Sequence, residues 1–223
     1  MTNILKHSQK LSIKSISVKA VLISLLFLLS ILTFGIMAHE IVAEKEDWFD
    51  SKAFTFLKGY STPAVIQIFR VITFLGSTWF VFAAYCVIII YLLAYRRKED
   101  ALNTAIIAIS SSLLLFGLKN YFARHRPEAP LFKALTNYSF PSGHALSSFI
   151  LCCVLVLLIR KSGWSKGWRI SLSVLLVLIS LLIGISRIVL RYHYASDVIA
   201  GFCAGFAWVI LSQYLLKKIR KLY

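Results

Sequence analysis

Six stretches of the chain are apolar over the length that a helix needs to cross a membrane. A hydrocarbon core about 30 Å thick is spanned by roughly 20 helical residues. The stretches cover residues 18–38, 76–95, 101–122, 144–159, 170–190 and 195–216. Hydrophobic residues make up 59% of the 223 residues and charged residues only 15%, which excludes a disordered chain and argues against a soluble globule. The sequence therefore predicts an all-α bundle of six transmembrane helices that forms a single membrane domain, residues 1–223.

The first of these spans has an alternative interpretation. Residues 18–38 follow a basic tail that holds Lys6, Lys10, Lys14 and Lys19. A basic tail before an apolar run is also typical of a cleaved signal peptide. The apolar run is long for a signal peptide, however, and no A-x-A-like cleavage site follows it. We therefore interpret this run as a retained span.

Basic residues are distributed unequally between the two sides of the predicted bundle. Six spans place both termini on one side with the loops at 96–100 and 160–169. That side holds 15 basic residues and, of the acidic ones, only Glu99 and Asp100; the opposite side holds 10 basic and 7 acidic residues. Basic segments are retained in the cytoplasm, so we expect both termini there, in a multi-pass membrane protein. The net charge of +16 then reflects topology, and neither a nucleic-acid partner nor an obligate protein partner is expected.

Residues 40–60 mix acidic and aromatic side chains. Aromatic rings prefer the headgroup zone of a membrane and charges prefer water, so this composition predicts a short interfacial helix after the first span. Thr62-Pro63 is typical of a helix start, with a capping hydroxyl and a proline in the first turn. We assign residues 40–75 to an extracytoplasmic interfacial segment; whether it has a further role is left open by the sequence.

Polar residues that topology does not explain form three clusters on the predicted outer side. They are Lys119 with Arg126-Pro127, Pro141-Ser142-Gly143-His144, and Ser186-Arg187 with His193 and Asp197. The segment between the first two clusters contains too many prolines and polar residues to cross a membrane. The 43 residues from His144 to Arg187 fit one crossing inward and one crossing back. All three clusters are therefore expected at one face.

Each cluster has a purely structural explanation when it is taken alone. Lys119 and Arg187 could extend to lipid headgroups. Ser142 could serve only as a helix cap. His193 and Asp197, four residues apart on one side of a helix, could form an ordinary hydrogen bond. The convergence of three cations, two histidines and a carboxylate on one face favours a functional site instead.

That set of side chains suits phosphoryl transfer. Arginine and lysine side chains match the charge of a phosphate dianion, and the amides of residues 142–144 add donors at a helix start. One histidine can attack phosphorus while the other protonates the leaving oxygen. Asp197 can hold the attacking imidazole in the tautomer that exposes its lone pair.

A metal site is not expected near these clusters. The only carboxylates predicted there are Glu128 and Asp197, and the chain has no H-E-x-x-H motif. The four cysteines lie in apolar stretches without zinc-binding spacing. The sequence thus predicts no metal and no cofactor.

The three clusters resemble the three-part signature of the type 2 phosphatidic acid phosphatase family. The signature reads K-x6-R-P, then P-S-G-H, then S-R-x5-H-x3-D, and all eleven fixed positions match here within residues 119–197. The resemblance implies that Lys119, Arg126 and Arg187 bind the phosphate, with help from Ser142 and Gly143. It further implies that His193 is the nucleophile that forms a phosphohistidine, that His144 is the general acid, and that Asp197 orients His193.

Family membership also implies the reaction. Members of this kind hydrolyse membrane lipid phosphates at the outer leaflet without a metal; typical substrates are undecaprenyl pyrophosphate, phosphatidylglycerophosphate, phosphatidic acid and lipid A phosphates.

Three alternatives stay open. The chain could be a phosphotransferase with another acceptor than water, or a vanadium haloperoxidase, although those are largely soluble. It could also be a non-catalytic lipid-binding or transport protein, although such relatives usually lack a histidine or the aspartate. The physiological substrate and the oligomeric state are not encoded in these motifs.

Overall fold

The computed structural model describes residues 17–43, 48–128, 130–131 and 135–220. Those residues form eight helices and no strand. The helices are α1 (Val18–Ala43), α2 (Trp48–Lys58), α3 (Pro63–Phe74), α4 (Thr78–Ala94), α5 (Lys98–Phe122), α6 (Gly143–Arg160), α7 (Lys166–Val189) and α8 (Ala195–Ile219). Most of the predicted basic tail lies outside the described residues. The all-α prediction is confirmed.

Long apolar helices account for the predicted membrane bundle. Five of them, α1 and α5 to α8, are long and apolar enough to cross a membrane. The sixth candidate is the pair α3 and α4, which are bent by 42° at a short break. The predicted span at 76–95 is thus preceded by a helix that begins at Pro63, where the Thr62 hydroxyl accepts a hydrogen bond from the Val65 amide at 3.3 Å. The protein is an all-helical membrane protein, and the count of five to six spans agrees with the predicted six.

The segment after the first span differs from the predicted single interfacial helix. Helix α1 continues to Ala43, so Glu40 belongs to α1, and residues 44–47 lie outside the described residues. A separate helix, α2, follows, with Trp48 and Phe56 exposed as expected for aromatic side chains at a membrane surface. Asp50 on the same helix is only 3% exposed. The expectation that the charges of this segment lie in water is therefore wrong for Asp50, because buried polar partners hold its carboxylate.

Ion pairs connect neighbouring helix ends at the end of the bundle that carries the basic loops. Asp100, near the start of α5, accepts hydrogen bonds from Arg97 and from Lys161, just after α6. Arg220, just after α8, pairs with Glu99 at 3.0 Å. The loops at 96–100 and 160–169 and the end of α8 therefore meet at one end of the bundle. The signature residues lie at the opposite end, where α5 and α7 finish and α6 and α8 begin.

Helices α6 and α8 approach each other closely at the end with the signature residues. A methyl group added at Gly201 would lie 2.8 Å from the Ser142 carbonyl oxygen and 3.1 Å from the Ala145 methyl carbon. The Ser142 amide also donates a hydrogen bond to the Asp197 carbonyl at 3.0 Å. Leu146 and Ile150, one and two turns further along α6, are fully buried. This packing brings the second and third signature motifs together.

We predict that Gly201→Ala lowers the melting temperature of the detergent-solubilised protein. The added methyl group would collide with the backbone of α6, and the collision is relieved only if the two helices move apart. Overpacking of this kind lowers the free energy of unfolding by about 1–3 kcal/mol. Gly117→Ala is the matched control, because no atom lies within 4 Å of a methyl group built there. Alanine is the better helix former, so the control should melt no lower than the wild type. Equal melting temperatures for both variants would contradict the close packing.

Candidate active site

His193 is held by a buried carboxylate at the start of α8. Its Nδ1 lies 3.2 Å from Asp197 Oδ2. The same oxygen accepts the Tyr194 amide at 3.0 Å and the hydroxyl of Ser139, which also lies 3.3 Å from Nδ1. Because a carboxylate only accepts hydrogen bonds, this network assigns the imidazole proton to Nδ1. The lone pair is then on Nε2, on the opposite edge of the ring.

Arg126 lies directly in front of that lone pair. Its Nη1 is 3.3 Å from His193 Nε2 and donates to the Tyr192 carbonyl at 2.6 Å. Its other nitrogens donate to the backbone and side-chain oxygens of Asn137, each at 2.8 Å. The guanidinium is thus fixed by the loop that precedes α6, and a phosphate held by Arg126 would be within reach of Nε2.

Lys119 and Arg187 extend the positive charge around this point. Lys119, near the end of α5, donates to the carbonyl oxygens of Tyr138 and Ser139. Arg187, near the end of α7, donates from Nη1 to the Thr73 hydroxyl at 2.7 Å, and its guanidinium carbon lies 4.3 Å from the centre of the Tyr192 ring. Arg187 is 3% exposed, and its Nε is buried without a hydrogen-bond partner. A buried donor of this kind is available to an incoming anion.

These three cations share one property. In the part of the chain that the structure describes, none of Lys119, Arg126 and Arg187 forms an ion pair with a carboxylate. Their partners are carbonyl oxygens, an amide oxygen, a hydroxyl, the His193 imidazole and an aromatic ring. Across the same residues, no group of three or more His, Cys, Asp or Glu side chains is arranged to bind a metal ion. The pocket therefore carries uncompensated positive charge, which is the electrostatic requirement for binding a phosphate dianion.

His144 stands at the start of α6. It is half-buried and interacts electrostatically with Arg187, His193, Arg126 and Lys119. The break between α3 and α4 packs on its ring, because a methyl group added at Gly76 would lie 3.0 Å from His144 Cδ2. A second imidazole thus faces the same pocket as His193, as a proton donor to a leaving group requires.

Ser142 and Gly143 occupy the turn that begins α6. The Ser142 hydroxyl accepts a hydrogen bond from the Ala145 amide at 3.5 Å and the residue is fully buried, so its side chain acts as a helix cap. A methyl group added at Gly143 would lie 3.8 Å from Lys119 Cε, which places this turn beside the cations. The structure thus gathers all eight of the predicted site residues at one end of the bundle.

Four further residues complete the arrangement and were not found by the sequence reasoning. They are Asp50, Thr73, Arg124 and Ser139. The prediction that Glu128 and Asp197 are the only nearby carboxylates is wrong, because Asp50 accepts hydrogen bonds from Ser196 and Arg124, whereas Glu128 is exposed. Arg124 stands between the lysine and arginine of the first motif, and that position was its only signal. Asp50 lies 146 residues from its partner Ser196, a pairing that no sequence spacing reveals.

Burial controls the charge of His193. Removal from water lowers the pKa of His193 to about 3; Asp197 acts in the opposite direction, and Arg126 and Arg187 lower the pKa further. The imidazole is therefore neutral at physiological pH. A neutral imidazole with Nε2 unprotonated is the form that can act as a nucleophile.

The chain is similar to a known protein family and to known proteins. The family model of the PAP2 superfamily matches residues 100–221. Phosphatidylglycerophosphatase B of Bacillus subtilis is 28% identical over 161 residues, which cover 71% of this chain and 79% of the relative. The crystal structure of a transmembrane PAP2 type phosphatidylglycerolphosphate phosphatase from Bacillus subtilis superposes with a TM-score of 0.75 at 26% identity, covering 86% of this chain and 96% of the other. Aquifex aeolicus LpxE shares the fold, with a TM-score of 0.59 at 24% identity over 76% of this chain and 98% of the other.

The fold and the matches define the class as a helical membrane phosphatase. The chain belongs to the PAP2 superfamily. The predicted family and the prediction of an enzyme that is a lipid phosphatase are thereby confirmed.

We predict that His193 makes the folded protein sensitive to mild acid. Below pH 6.5 the unfolded chain protonates this imidazole, whereas the folded protein does so only near pH 3, so the free energy of unfolding falls as the pH falls between these values. At pH 5 the loss amounts to about 2 kcal/mol. The melting temperature of the wild type should therefore drop more between pH 7.5 and pH 5 than that of His193→Gln. His125→Gln, a change at an exposed histidine, should drop as the wild type does; an equal drop for His193→Gln would refute the assignment.

Proposed function

We propose that this protein hydrolyses a membrane lipid phosphate or pyrophosphate without a metal ion, through a phosphohistidine formed on His193. One observation carries the proposal. Arg126 lies 3.3 Å from Nε2 of a histidine whose Nδ1 is fixed by Asp197, and its electrostatic neighbours Lys119 and Arg187 also lack carboxylate partners. The cations would hold the phosphate oxygens and neutralise their charge, which is most of what phosphoryl transfer requires.

The reaction would proceed in two steps. His193 Nε2 attacks phosphorus, the bond from phosphorus to the lipid oxygen breaks, and His144 gives that oxygen its proton. His144 then removes a proton from water, the water oxygen attacks phosphorus, and the bond to Nε2 breaks to release inorganic phosphate. Asp197 stabilises the imidazolium character that develops on His193 when the new bond forms. Lys119, Arg126 and Arg187 contact the phosphate oxygens in both steps.

The location of the site supports substrate access from the bilayer. The signature residues lie at the end of the bundle opposite the basic loops, and basic loops are typical of the cytoplasmic side. We therefore place both termini in the cytoplasm and the site at the outer face of a bacterial cytoplasmic membrane. A lipid would keep its tails in the bilayer while its headgroup reaches the cations.

The relatives narrow the choice of lipid. The Bacillus subtilis relative and the Bacillus subtilis crystal structure both carry names that describe a phosphatase of phosphatidylglycerophosphate. We therefore propose phosphatidylglycerophosphate as the first substrate to test, with undecaprenyl pyrophosphate and phosphatidic acid next. The cations recognise the phosphate, a group that all of these lipids share, so the preference would have to come from the remainder of the headgroup and the tails.

We expect a labelled phosphoenzyme in the wild type and none in His193→Ala. After brief incubation with a ³²P-labelled lipid phosphate and an alkaline denaturing quench, the label should remain on the protein and be lost in acid, as for a phosphohistidine. His193→Ala should also lose at least about a thousandfold in kcat, because the nucleophile is removed. Activity of the wild type should persist in EDTA.

His125→Ala is the matched control for this experiment, because it removes an exposed histidine of the outer loop. It should keep its label and turnover. A His193→Ala protein that still carries label would show that another residue attacks phosphorus, and loss of activity in EDTA would disprove the metal-independent mechanism.

We expect phosphatidylglycerophosphate to give the highest kcat/KM for inorganic phosphate release by the purified protein. The panel should also contain undecaprenyl pyrophosphate, phosphatidic acid and lipid A in mixed micelles of equal surface concentration. His193→Ala measured on each lipid corrects for contaminating phosphatases. A higher kcat/KM for another lipid would replace the proposed substrate, and transfer of the phosphoryl group to an added alcohol rather than to water would reassign the protein as a phosphotransferase.

A further inference from the structure

A buried carboxylate on α2 contacts residues that neighbour Asp197, the carboxylate that holds His193. Asp50 Oδ1 accepts the Ser196 amide at 2.8 Å, and Oδ2 accepts the Ser196 hydroxyl at 2.6 Å and Arg124 Nη2 at 2.9 Å. The side chain of Asp50 is 4% exposed and that of Arg124 is 9% exposed. Charges this well buried are tolerated only when they are paired, so this contact determines where both side chains lie.

The second nitrogen of the same guanidinium holds the aspartate behind the nucleophile. Arg124 Nη1 donates to Asp197 Oδ1 at 2.7 Å, and its guanidinium carbon lies 3.9 Å from the centre of the Tyr194 ring. Burial alone would lower the pKa of Arg124, but Asp197 and Asp50 outweigh that effect and raise it. The guanidinium is therefore a permanent cation that links the two carboxylates.

The two oxygens of Asp197 are divided between the nucleophile and this cation. Oδ2 receives the His193, Tyr194 and Ser139 donors, whereas Oδ1 receives Arg124. A carboxylate fixed at both oxygens cannot rotate about its bond to Cβ, so the direction in which it holds His193 is also fixed. Arg124 also differs from the three proposed phosphate-binding cations, because it forms ion pairs with two carboxylates and they form none.

We propose that Arg124 and Asp50 are positioning residues for the nucleophile: Asp50 anchors Arg124, and Arg124 locks Asp197 in the orientation that aims His193 at phosphorus. This inference rests on the proposed function. It assigns α2 a role in catalysis without contact to the substrate. A second contact, between the rings of Phe54 and Tyr194 with centroids 5.8 Å apart, seats the same helix on the loop that carries His193.

The charge balance of the cluster also suits the reaction. One cation between two carboxylates leaves a net negative charge beside His193. That charge stabilises the positive charge that the imidazole acquires as Nε2 bonds to phosphorus. Removal of Arg124 alone would leave two unpaired buried carboxylates, which strongly destabilises a protein. Removal of both charges would return the net charge of the cluster to its wild-type value without restoring the lock on Asp197.

The test compares Arg124→Gln, Asp50→Asn and the double variant Asp50→Asn/Arg124→Gln. For each we would measure the melting temperature, kcat and KM on the preferred lipid phosphate, and the inhibition constant of inorganic phosphate. We expect each single variant to lose roughly tenfold to a hundredfold in kcat, the range seen when partners that orient a functional histidine are removed. KM and the phosphate inhibition constant should stay within about threefold, because the phosphate-binding cations are untouched.

The double variant separates positioning from stability. It should regain the melting temperature that Arg124→Gln loses while its kcat stays low. Recovery of both the melting temperature and kcat would show that the network only stabilises the fold. Phosphate inhibition that weakens in proportion to the loss of kcat would show that Arg124 binds substrate. Either result overturns the inference. Glu128→Gln, the same chemical change at an exposed site, should match the wild type. Absence of phosphate release by the wild type would instead refute the proposed function.

Discussion

A buried carboxylate organises the end of this bundle that carries the signature residues. Asp197 is fully buried, where an ionised group is stable only if donors replace the water that it has lost. Those donors come from three segments far apart in the chain: the loop before α6, the turn before α8, and the residues after α5. Its backbone carbonyl also accepts the Ser142 amide at the start of α6. The solvation of one side chain thus fixes the relative positions of the three signature motifs.

The cations divide into two groups according to their partners. Arg124 is neutralised by two carboxylates and serves the fold of the site. Lys119, Arg126 and Arg187 are held by neutral groups, which fix their direction without cancelling their charge. A pocket built in this way repels cations, and its positive charges are compensated only when an anion binds. The same arrangement keeps His193 neutral, because the neighbouring positive charges and burial oppose its protonation.

Much of the fold and of the proposed site could be predicted from the sequence, because both depend on local patterns. Span length follows from bilayer thickness, and the eleven signature positions can be identified without a structure. The boundary at Gly76 agrees with the predicted start of the second span, but the 42° bend between α3 and α4 could not be predicted, because an apolar run does not show how two successive helices are oriented. The expectation that Asp50 lies in water follows from the general preference of charges for water, whereas its actual partners Arg124 and Ser196 lie far along the chain. Ser142 illustrates a different limit, because a helix cap and a phosphate ligand require the same residue type.

The position of α2 connects these observations. Exposed aromatic side chains direct one part of this helix to the membrane surface, while its buried Asp50 extends into the ion cluster. A helix at the interface responds to the lipid around it, and a helix tied to Arg124 affects the orientation of Asp197. With α2 at the bilayer surface, as its exposed aromatic side chains indicate, these contacts would link that surface to His193, the proposed nucleophile. In a lipid phosphatase such a link would make the alignment of His193 depend on a helix at the surface of the membrane that contains the substrate.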